Sequence, residues 1–507
     1  MFTIYTGFWE SIGNWFVELW NGIVGFFSDF WNNLFNLLKD SVFRAVGITL
    51  IVESIEKGEP IPGQAWVNLV FGVIALIFGL MLAYKPILLF MGLFGKSRKY
   101  SFQPQDKKYA ILIAARNESK VIANCIESLQ AMDYPRDMFD IIVIADNCSD
   151  NTAEIAKNMG CIVYEHNDPN EKRKAYALRY FFNEFKKEHD VVESYYAYII
   201  FDADTIAAPS FLTEMNNGMQ EGGFDEACGY RNVKNLSENM ATSISGINVH
   251  VAVVVGQRAR SIMRTNQQVY GTSSCLRSYL LKDGWTWTTL TEDLDLEADL
   301  AAKGYYTGYV VDAVIYEEEP NKVRLFIRQQ MRWTKGNWQS WKKYSWPLFV
   351  SFLKKPTWSK YDMYWQFFPY SIFSFYLGLI QQIVSIILLL IYGSHGYNWI
   401  DIFGYLIGLY GGLYISTVFQ DALVMIKEWK RIHLSLGRAV LYVFLFPIYN
   451  LINIPVSAFS VFWNVKWKLI DHHYVVDANV LVNEEVEKAA MIEAKKEKRR
   501  KKKQKVA

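Results

Sequence analysis

Uncharged apolar runs crowd the two ends of the chain, and the middle alternates short apolar bursts with polar stretches. Near the start, Phe8, Ile12, Phe16, Leu19, Ile23, Phe27, Phe30, Leu34 and Leu37 recur three or four residues apart. Glu10, Asn14, Glu18, Asn21, Asp29 and Asn33 fill the gaps, and Trp9, Trp15, Trp20 and Trp31 widen the apolar face. That rhythm predicts one or two amphipathic helices lying on a bilayer surface or on partner helices. From Pro60 to Tyr84 there is no charge, and Ala65–Ala83 is long enough to cross a hydrocarbon core. Lys85, Lys96, Arg98 and Lys99 follow, which places the next part in the cytoplasm.

From about 105 to 320 the pattern changes. Short β-rich runs, Ala110–Ala114, Ile141–Ala145 and Tyr198–Phe201, alternate with helical stretches, predicting an α/β domain with a mainly parallel sheet. Apolar segments return at 363–393, 399–426 and 439–463. The first two predict spans joined by the uncharged loop Gly393–Asn398, with the basic stretch Lys427–Arg438 on the cytoplasmic side. The third contains Pro447 and Pro455 and reads as a span or a broken re-entrant pair. A single crossing there would put the basic tail Lys495–Lys505 outside, so the segment calls for a hairpin or a further crossing. The tail itself reads as a solvated, disordered charge run, with attraction to anionic lipids as the alternative.

The predicted organisation is an amphipathic region 1–57, a transmembrane segment 64–95, a cytoplasmic domain 100–320, interfacial helices 321–360, a transmembrane region 361–470 and a charged tail 471–507. Composition sharpens this only slightly. The chain has 507 residues, of which 51% are apolar and 16% aromatic, which excludes a disordered chain. Lys plus Arg number 53 and Asp plus Glu 51, a balance that argues against nucleic acid as a partner. Five Cys without a CxxC pair argue against a disulfide framework or a zinc site.

Four clusters in the middle carry candidate chemistry. Ala110–Glu118 and Ile141–Thr152 are apolar strands that run into Asn117, Glu118, Asp146 and Asp150, and ligands of open α/β sheets bind at such strand ends. Tyr198-Ile-Ile-Phe-Asp202-Ala-Asp204 ends in two carboxylates one residue apart, suited to a hard divalent cation, Mg²⁺ or Mn²⁺, bridging to phosphate oxygens. Thr291-Glu292-Asp293 follows the aromatic approach Trp285-Thr-Trp287, where burial can raise a carboxyl into the range of a general base. The bland alternative is a helix start, with Thr291 as cap and acids in the first turn. Gln329-Gln-Met-Arg332-Trp333 offers a guanidinium for a leaving pyrophosphate and a ring for a sugar, or else a membrane-interface helix.

In this order the clusters resemble the family 2 glycosyltransferases, above all the processive membrane ones: cellulose, hyaluronan, chitin and mixed-linkage glucan synthases. The resemblance covers about residues 105–345. It implies a glycosyltransferase A-type nucleotide-sugar domain, α/β in class, inserted between transmembrane α-helices. It also implies roles. Asn117 and Glu118 belong to a nucleotide-binding strand end, and Asp146 would contact uracil or ribose. Lys174 matches a basic position near the nucleotide, while Asp202 and Asp204 would hold the metal on the diphosphate. Asp293, with Glu292 beside it, would be the general base. Gln329, Arg332 and Trp333 would frame the diphosphate and the acceptor sugar. Gly271-Thr-Ser-Ser-Cys275 resembles an acceptor-side loop, and Trp463–His472 loosely resembles a short motif after the last membrane segment. One base and no covalent nucleophile predict inversion. The expectation is a multi-pass plasma-membrane enzyme with its catalytic domain in the cytoplasm. It would polymerise a UDP-sugar, UDP-glucose first, into a β-glucan and translocate the product. The alternatives are a hyaluronan-like or other capsular polysaccharide synthase and a non-processive transferase acting on a lipid acceptor. The partners implied are a UDP-sugar, a growing polysaccharide and the lipid bilayer, with further copies of the chain or an accessory export subunit beside them.

Overall fold

The computed structural model describes residue 57 and residues 63–392, 399–463, 465, 470 and 472–506. The amphipathic stretch Phe8–Phe43 and the loop Gly393–Asn398 lie outside the described residues. The chain divides into two units, residues 1–83 with 376–407 and residues 84–375 with 408–507. In the first, Gly63–Leu82 (α1) is an uncharged helix whose Leu76, Ile77 and Leu80 are exposed.

The second unit is built on one eight-stranded sheet: β1 Tyr109–Ala115, β2 Phe139–Asp146, β3 Ile162–His166, β4 Ala197–Asp202, β5 Ile206–Ala207, β6 Glu226–Val233, β7 Ser274–Arg277 and β8 Thr307–Glu317. Their order is β3-β2-β1-β4-β7-β6-β8-β5. The half from β3 to β4 is parallel, with Ile111 opposite both Ile141 and Ile199. Its strands read as unbroken apolar runs because both faces are covered. Ile111, Ile113, Val143, Ile199 and Phe201 pack against helices Ile122–Gln130 (α2) and Phe211–Gly222 (α3). Ala110, Leu112, Ile144, Tyr198 and Ile200 pack against Lys174–Phe185 (α4) on the other face. Each such aliphatic or aromatic side chain, fully buried, contributes about 1.5–3 kcal/mol.

The other half is mixed; the sheet is mainly parallel, as expected, with antiparallel pairing confined to β7 and the short edge strand β5. β7 runs antiparallel to β4 and β6, while β6 pairs with β8 in parallel across a register shift at Gly229/Tyr230. A Cβ on Gly229 would stand 2.3 Å from the Ala313 carbonyl oxygen, so only glycine lets the strands approach there. β7 has four residues, too few to show a pattern in sequence.

One helical run, Met240–Met263, passes the length and composition test for a span, yet two-thirds of its apolar window is buried inside the protein. Its first part, Met240–Val251 (α5), and the π-helical stretch Ala252–Arg258 lie against the mixed half of the sheet through Ile244, Ile247 and Val253. The sequence reading did not separate this element from the α/β domain. Glu292–Lys303 (α6) is followed by the 32-residue helix Val323–Lys354 (α7) and by Trp358–Phe367 (α8). The expected spans at 363–393 and 399–426 are helices Tyr370–Tyr392 (α9) and Trp399–Glu428 (α10). Among the described residues three helices could cross a membrane by length and composition, or four if the bent pair Trp358–Phe367 and Ile372–Leu388 counts as one.

The third apolar segment is one continuous helix, Leu436–Ser460 (α11), with both prolines inside it, and not a hairpin. Its start is fixed to the catalytic domain, where Ala439, Tyr442 and Val443 join the core of Tyr230 and Tyr309. Its end is fixed there too, since the Val461 carbonyl accepts a bond from Lys335 on α7. Residues at both ends of this helix thus contact the rest of the second unit. The stretch that precedes the basic run Lys495–Lys505 is docked. Ala478 and Leu481, on helix Ala478–Val506 (α12), are buried against Ile206, Ala208 and Tyr316.

Candidate active site

Three parallel strands end side by side and set out the polar groups. Beyond β1 the chain turns at Asn117 (φ +55°), and beyond β2 at Asn147 (φ +49°), a left-handed conformation that asparagine tolerates. The Asn117 carboxamide oxygen accepts the Ser149 N–H at 2.7 Å, tying the two turns together. Asn117 is not among the residues lining the cavity, and its side chain holds the neighbouring loop through Ser149. Glu118 does line the cavity and is 9% exposed. Asp146 lies at the end of β2, 3% exposed, with Oδ1 bonded to His166 Nδ1 at 2.9 Å and to the Asn147 amide at 2.7 Å. Burial pushes its carboxyl up, against those two hydrogen bonds.

At the end of β4, Asp202 Oδ1 accepts a bond from Lys174 Nζ at 2.5 Å, and the same ammonium donates to the Gly271 carbonyl at 2.5 Å. Burial opposes the charge on Lys174, but Asp202, Glu292 and Asp293 together hold its affinity for the proton above the ordinary lysine value. Asp204 is 8% exposed and accepts the Glu318 N–H at 3.3 Å. His472 closes this side of the site. Its Nδ1 lies 3.2 Å from both oxygens of Glu118, and its Nε2 lies 3.9 Å from Asp204 Oδ2. Burial disfavours the imidazolium, yet Asp204, Glu118 and Glu318 push the ring up to about 10.

Opposite stands the start of α6. Thr291 occupies the cap position with Glu292, Asp293 and Asp295 in the first turn, but its hydroxyl does not cap. Asp295 binds the turn instead, accepting from the Thr288 and Thr289 N–H groups at 3.1 and 3.3 Å. Asp293 Oδ2 accepts the Gly271 N–H at 3.0 Å, which ties the carboxylate to the loop that begins at Gly271. Burial and the neighbouring Asp293 push Glu292 up to about 7, with Lys174 and Arg332 opposing. On α7, Arg332 donates to the Leu290 carbonyl at 3.2 Å, and the Leu290 N–H donates to Gln339 at 3.1 Å.

Of the expected site residues, Glu118, Asp146, Lys174, Asp202, Asp204, Gly271, Glu292, Asp293, Gln329, Arg332 and Trp333 all line one cavity of about 350 Å³. That volume falls in the range of small-molecule sites. Arg231, Tyr270 and His472 share the lining and were not expected. Arg231 makes a buried ion pair with Glu317 and lies 4.3 Å over the Tyr270 ring. Among the described residues no three His, Cys, Asp or Glu side chains are already gathered as a metal cage. Asp202 and Asp204 nonetheless supply hard oxygen donors, which fit a divalent cation completed by phosphate and water oxygens, and His472 could join them only on giving up its proton to the metal.

Residues 104–336 match the family described as glycosyltransferase like family 2. A probable glycosyltransferase, YdaM, of Bacillus subtilis (strain 168) is 26% identical over 57% of this chain and 68% of its own. A poly-beta-1,6-N-acetyl-D-glucosamine synthase of Staphylococcus epidermidis is 24% identical over 48% of this chain and 58% of its own. The chain thus spans about half to two-thirds of the length of the curated relatives it matches. Among solved structures, a mannosyltransferase of Pyrobaculum calidifontis in complex with GDP-Man and Mn²⁺ aligns with a TM-score of 0.44 at 13% identity, over 71% of this chain and 98% of that one. The match over residues 104–336 supports a glycosyltransferase-like domain across the cavity-bearing part of the chain.

Proposed function

We propose that this glycosyltransferase is an inverting, membrane-seated enzyme that transfers a sugar from a UDP-sugar to the end of a growing polysaccharide. The observation that supports it is the single cavity shared by Asp146, the Asp202–Asp204 pair, Asp293 and the Arg332–Trp333 segment. Asp146, seated by His166, takes the nucleoside end. Asp202 and Asp204, joined by His472 once its proton is given up, would hold Mg²⁺ or Mn²⁺, which when bound neutralises charge on the diphosphate. Lys174 orients Asp202 and the Gly271 loop together. Asp293 accepts the proton of the acceptor hydroxyl, whose oxygen attacks the anomeric carbon as the bond to UDP breaks. Arg332 meets the negative charge that develops on the leaving diphosphate. Trp333 offers the acceptor sugar a face. A lone carboxylate base opposite the leaving group, with no nucleophile between them, supports inversion and hence a β-linkage from an α-linked donor.

The 32-residue helix α7 carries Gln329, Arg332, Trp333, Trp338, Trp341 and Trp346 on one continuous element. That supports a site at a bilayer surface, with the product leaving across the membrane. The donor is a UDP-hexose, with UDP-glucose as the sequence reading's choice and UDP-N-acetylglucosamine as its competitor, after the staphylococcal relative. The test is purified protein in lipid with each radiolabelled donor and Mn²⁺, followed by sizing and digestion with linkage-specific hydrolases. A polymer from UDP-glucose cut by a β-glucanase meets the proposal in full. Single-sugar products would remove the synthase reading and leave a transferase to a short or lipid acceptor.

A further inference from the structure

Residues 472–476 lie outside any helix or strand, two positions beyond the site-lining Ile470. Such a segment has no ladder of its own, so its backbone groups need partners from elsewhere. They find them in side chains. The Asn124 amide on α2 donates to the Val476 carbonyl at 3.0 Å, and its oxygen accepts the Val476 N–H at 3.4 Å. Lys234 donates to the Tyr474 carbonyl at 2.6 Å, and Glu318 accepts the Tyr474 N–H at 3.0 Å and the His473 N–H at 3.1 Å. Residues 474 and 476 are thus each gripped at both N–H and C=O, two apart, as they would be along a strand partner. Lys234 and Glu318 also pair with each other at 3.3 Å, with side chains 0% and 4% exposed. A buried ion pair is expensive to keep, and here its remaining hydrogen-bonding capacity is spent on the tail's main chain. Further along, Glu485 accepts from the Tyr316 hydroxyl at 3.0 Å and from Asn232 at 2.7 Å.

We infer that Asn124, Lys234 and Glu318 are positioning residues: they grip the main chain of residues 473–476, hold His472 against Asp204, and so couple docking of the C-terminal segment to divalent-cation binding at the donor site. The inference rests on the reading that Asp202 and Asp204 hold that cation. Second partners of metal ligands commonly set metal affinity by factors of about 10–100. Linkage makes the coupling reciprocal, so bound metal favours docking of the segment by the same factor by which docking strengthens the metal.

The experiment measures Mn²⁺ affinity by electron paramagnetic resonance of free Mn²⁺ on the full chain with UDP present and no acceptor. The variants are Asn124→Ala, His472→Ala, their double, and Asp204→Asn. Asn124→Ala and His472→Ala should each weaken Mn²⁺ about tenfold, and the double should be no weaker than His472→Ala alone. Val476→Pro removes the N–H that Asn124 accepts while leaving the sheet untouched, and it should reproduce the Asn124→Ala loss if that variant folds poorly. Wild-type affinity in both Asn124→Ala and Val476→Pro, with His472→Ala weakened, overturns the positioning role. Unchanged affinity in His472→Ala with loss in Asp204→Asn overturns the inference but keeps the donor site. Unchanged affinity in Asp204→Asn overturns the donor-site reading itself.

Discussion

Gly336, one turn beyond Trp333 on α7, packs directly on Thr291 at the start of α6. A Cβ built there would stand 2.1 Å from Thr291 Oγ1, 2.6 Å from its Cγ2 and 2.8 Å from its Cβ. Ordinary contacts between heavy atoms settle near 3.5–4.0 Å. All three atoms belong to a β-branched side chain that is 1% exposed, so it cannot rotate out of the way. Gly336→Ala must therefore part α7 from the start of α6 by about 1 Å. That gap strains the two Leu290 hydrogen bonds, to Arg332 and Gln339, that join these elements, and it moves Arg332 away from Asp293. A displacement of this size costs roughly 100-fold in turnover, with about 1–3 kcal/mol of overpacking in stability. Steady-state kinetics with the donor saturating should show the loss in kcat, while UDP affinity, set at the far strand ends, stays near wild type. A Gly336→Ala enzyme that is folded and turns over within a few-fold of wild type would refute the claim that this approach sets the geometry.

Glu226 supplies a pH test. It is fully buried, and burial pushes its carboxyl up to about 7, with the Ser274 hydrogen bond opposing. The folded chain thus keeps a proton that the unfolded chain releases near pH 4.5, and stability falls as pH rises through that window to about 7. Glu226→Gln removes the fall, so its Tm advantage over wild type should widen between pH 5 and pH 8, with a ceiling of about 3 kcal/mol; a constant gap contradicts this. Chelation with EDTA should stop turnover and Mn²⁺ or Mg²⁺ restore it, except in Asp204→Asn, and activity that persists in EDTA counts against the cation. Phe181→Ala, cutting a ring that is 0% exposed between α4 and the parallel strands, should cost about 3–5 kcal/mol in denaturant unfolding.

The parallel half of the sheet was legible because both of its faces are buried, which turns β1, β2 and β4 into continuous apolar runs ending in acids. The acids at those ends, and the later Asp293 and Arg332, were legible because strand ends and a helix start leave polar groups in fixed places. His472 was not, since its partners Glu118 and Asp204 are brought to it by a docked segment that has no periodicity. The signal available was a mild one, the short apolar run Tyr474-Val475-Val476 directly after the pair His472-His473. Asn117 shows the ambiguity of a polar residue at a strand end, which can bind a ligand or hold the neighbouring loop; the structure shows the second contact, to Ser149. The helix Met240–Met263 hid because its apolar length says span while its burial says core, and sequence carries no burial.

Replacing Asp293 with Asn keeps an oxygen for the Gly271 N–H and removes only the ability to take a proton. Turnover and UDP binding are then measured on the same preparation in lipid. The account predicts a loss of roughly 10²–10⁴-fold in kcat with UDP affinity unchanged. Turnover within tenfold of wild type would contradict it.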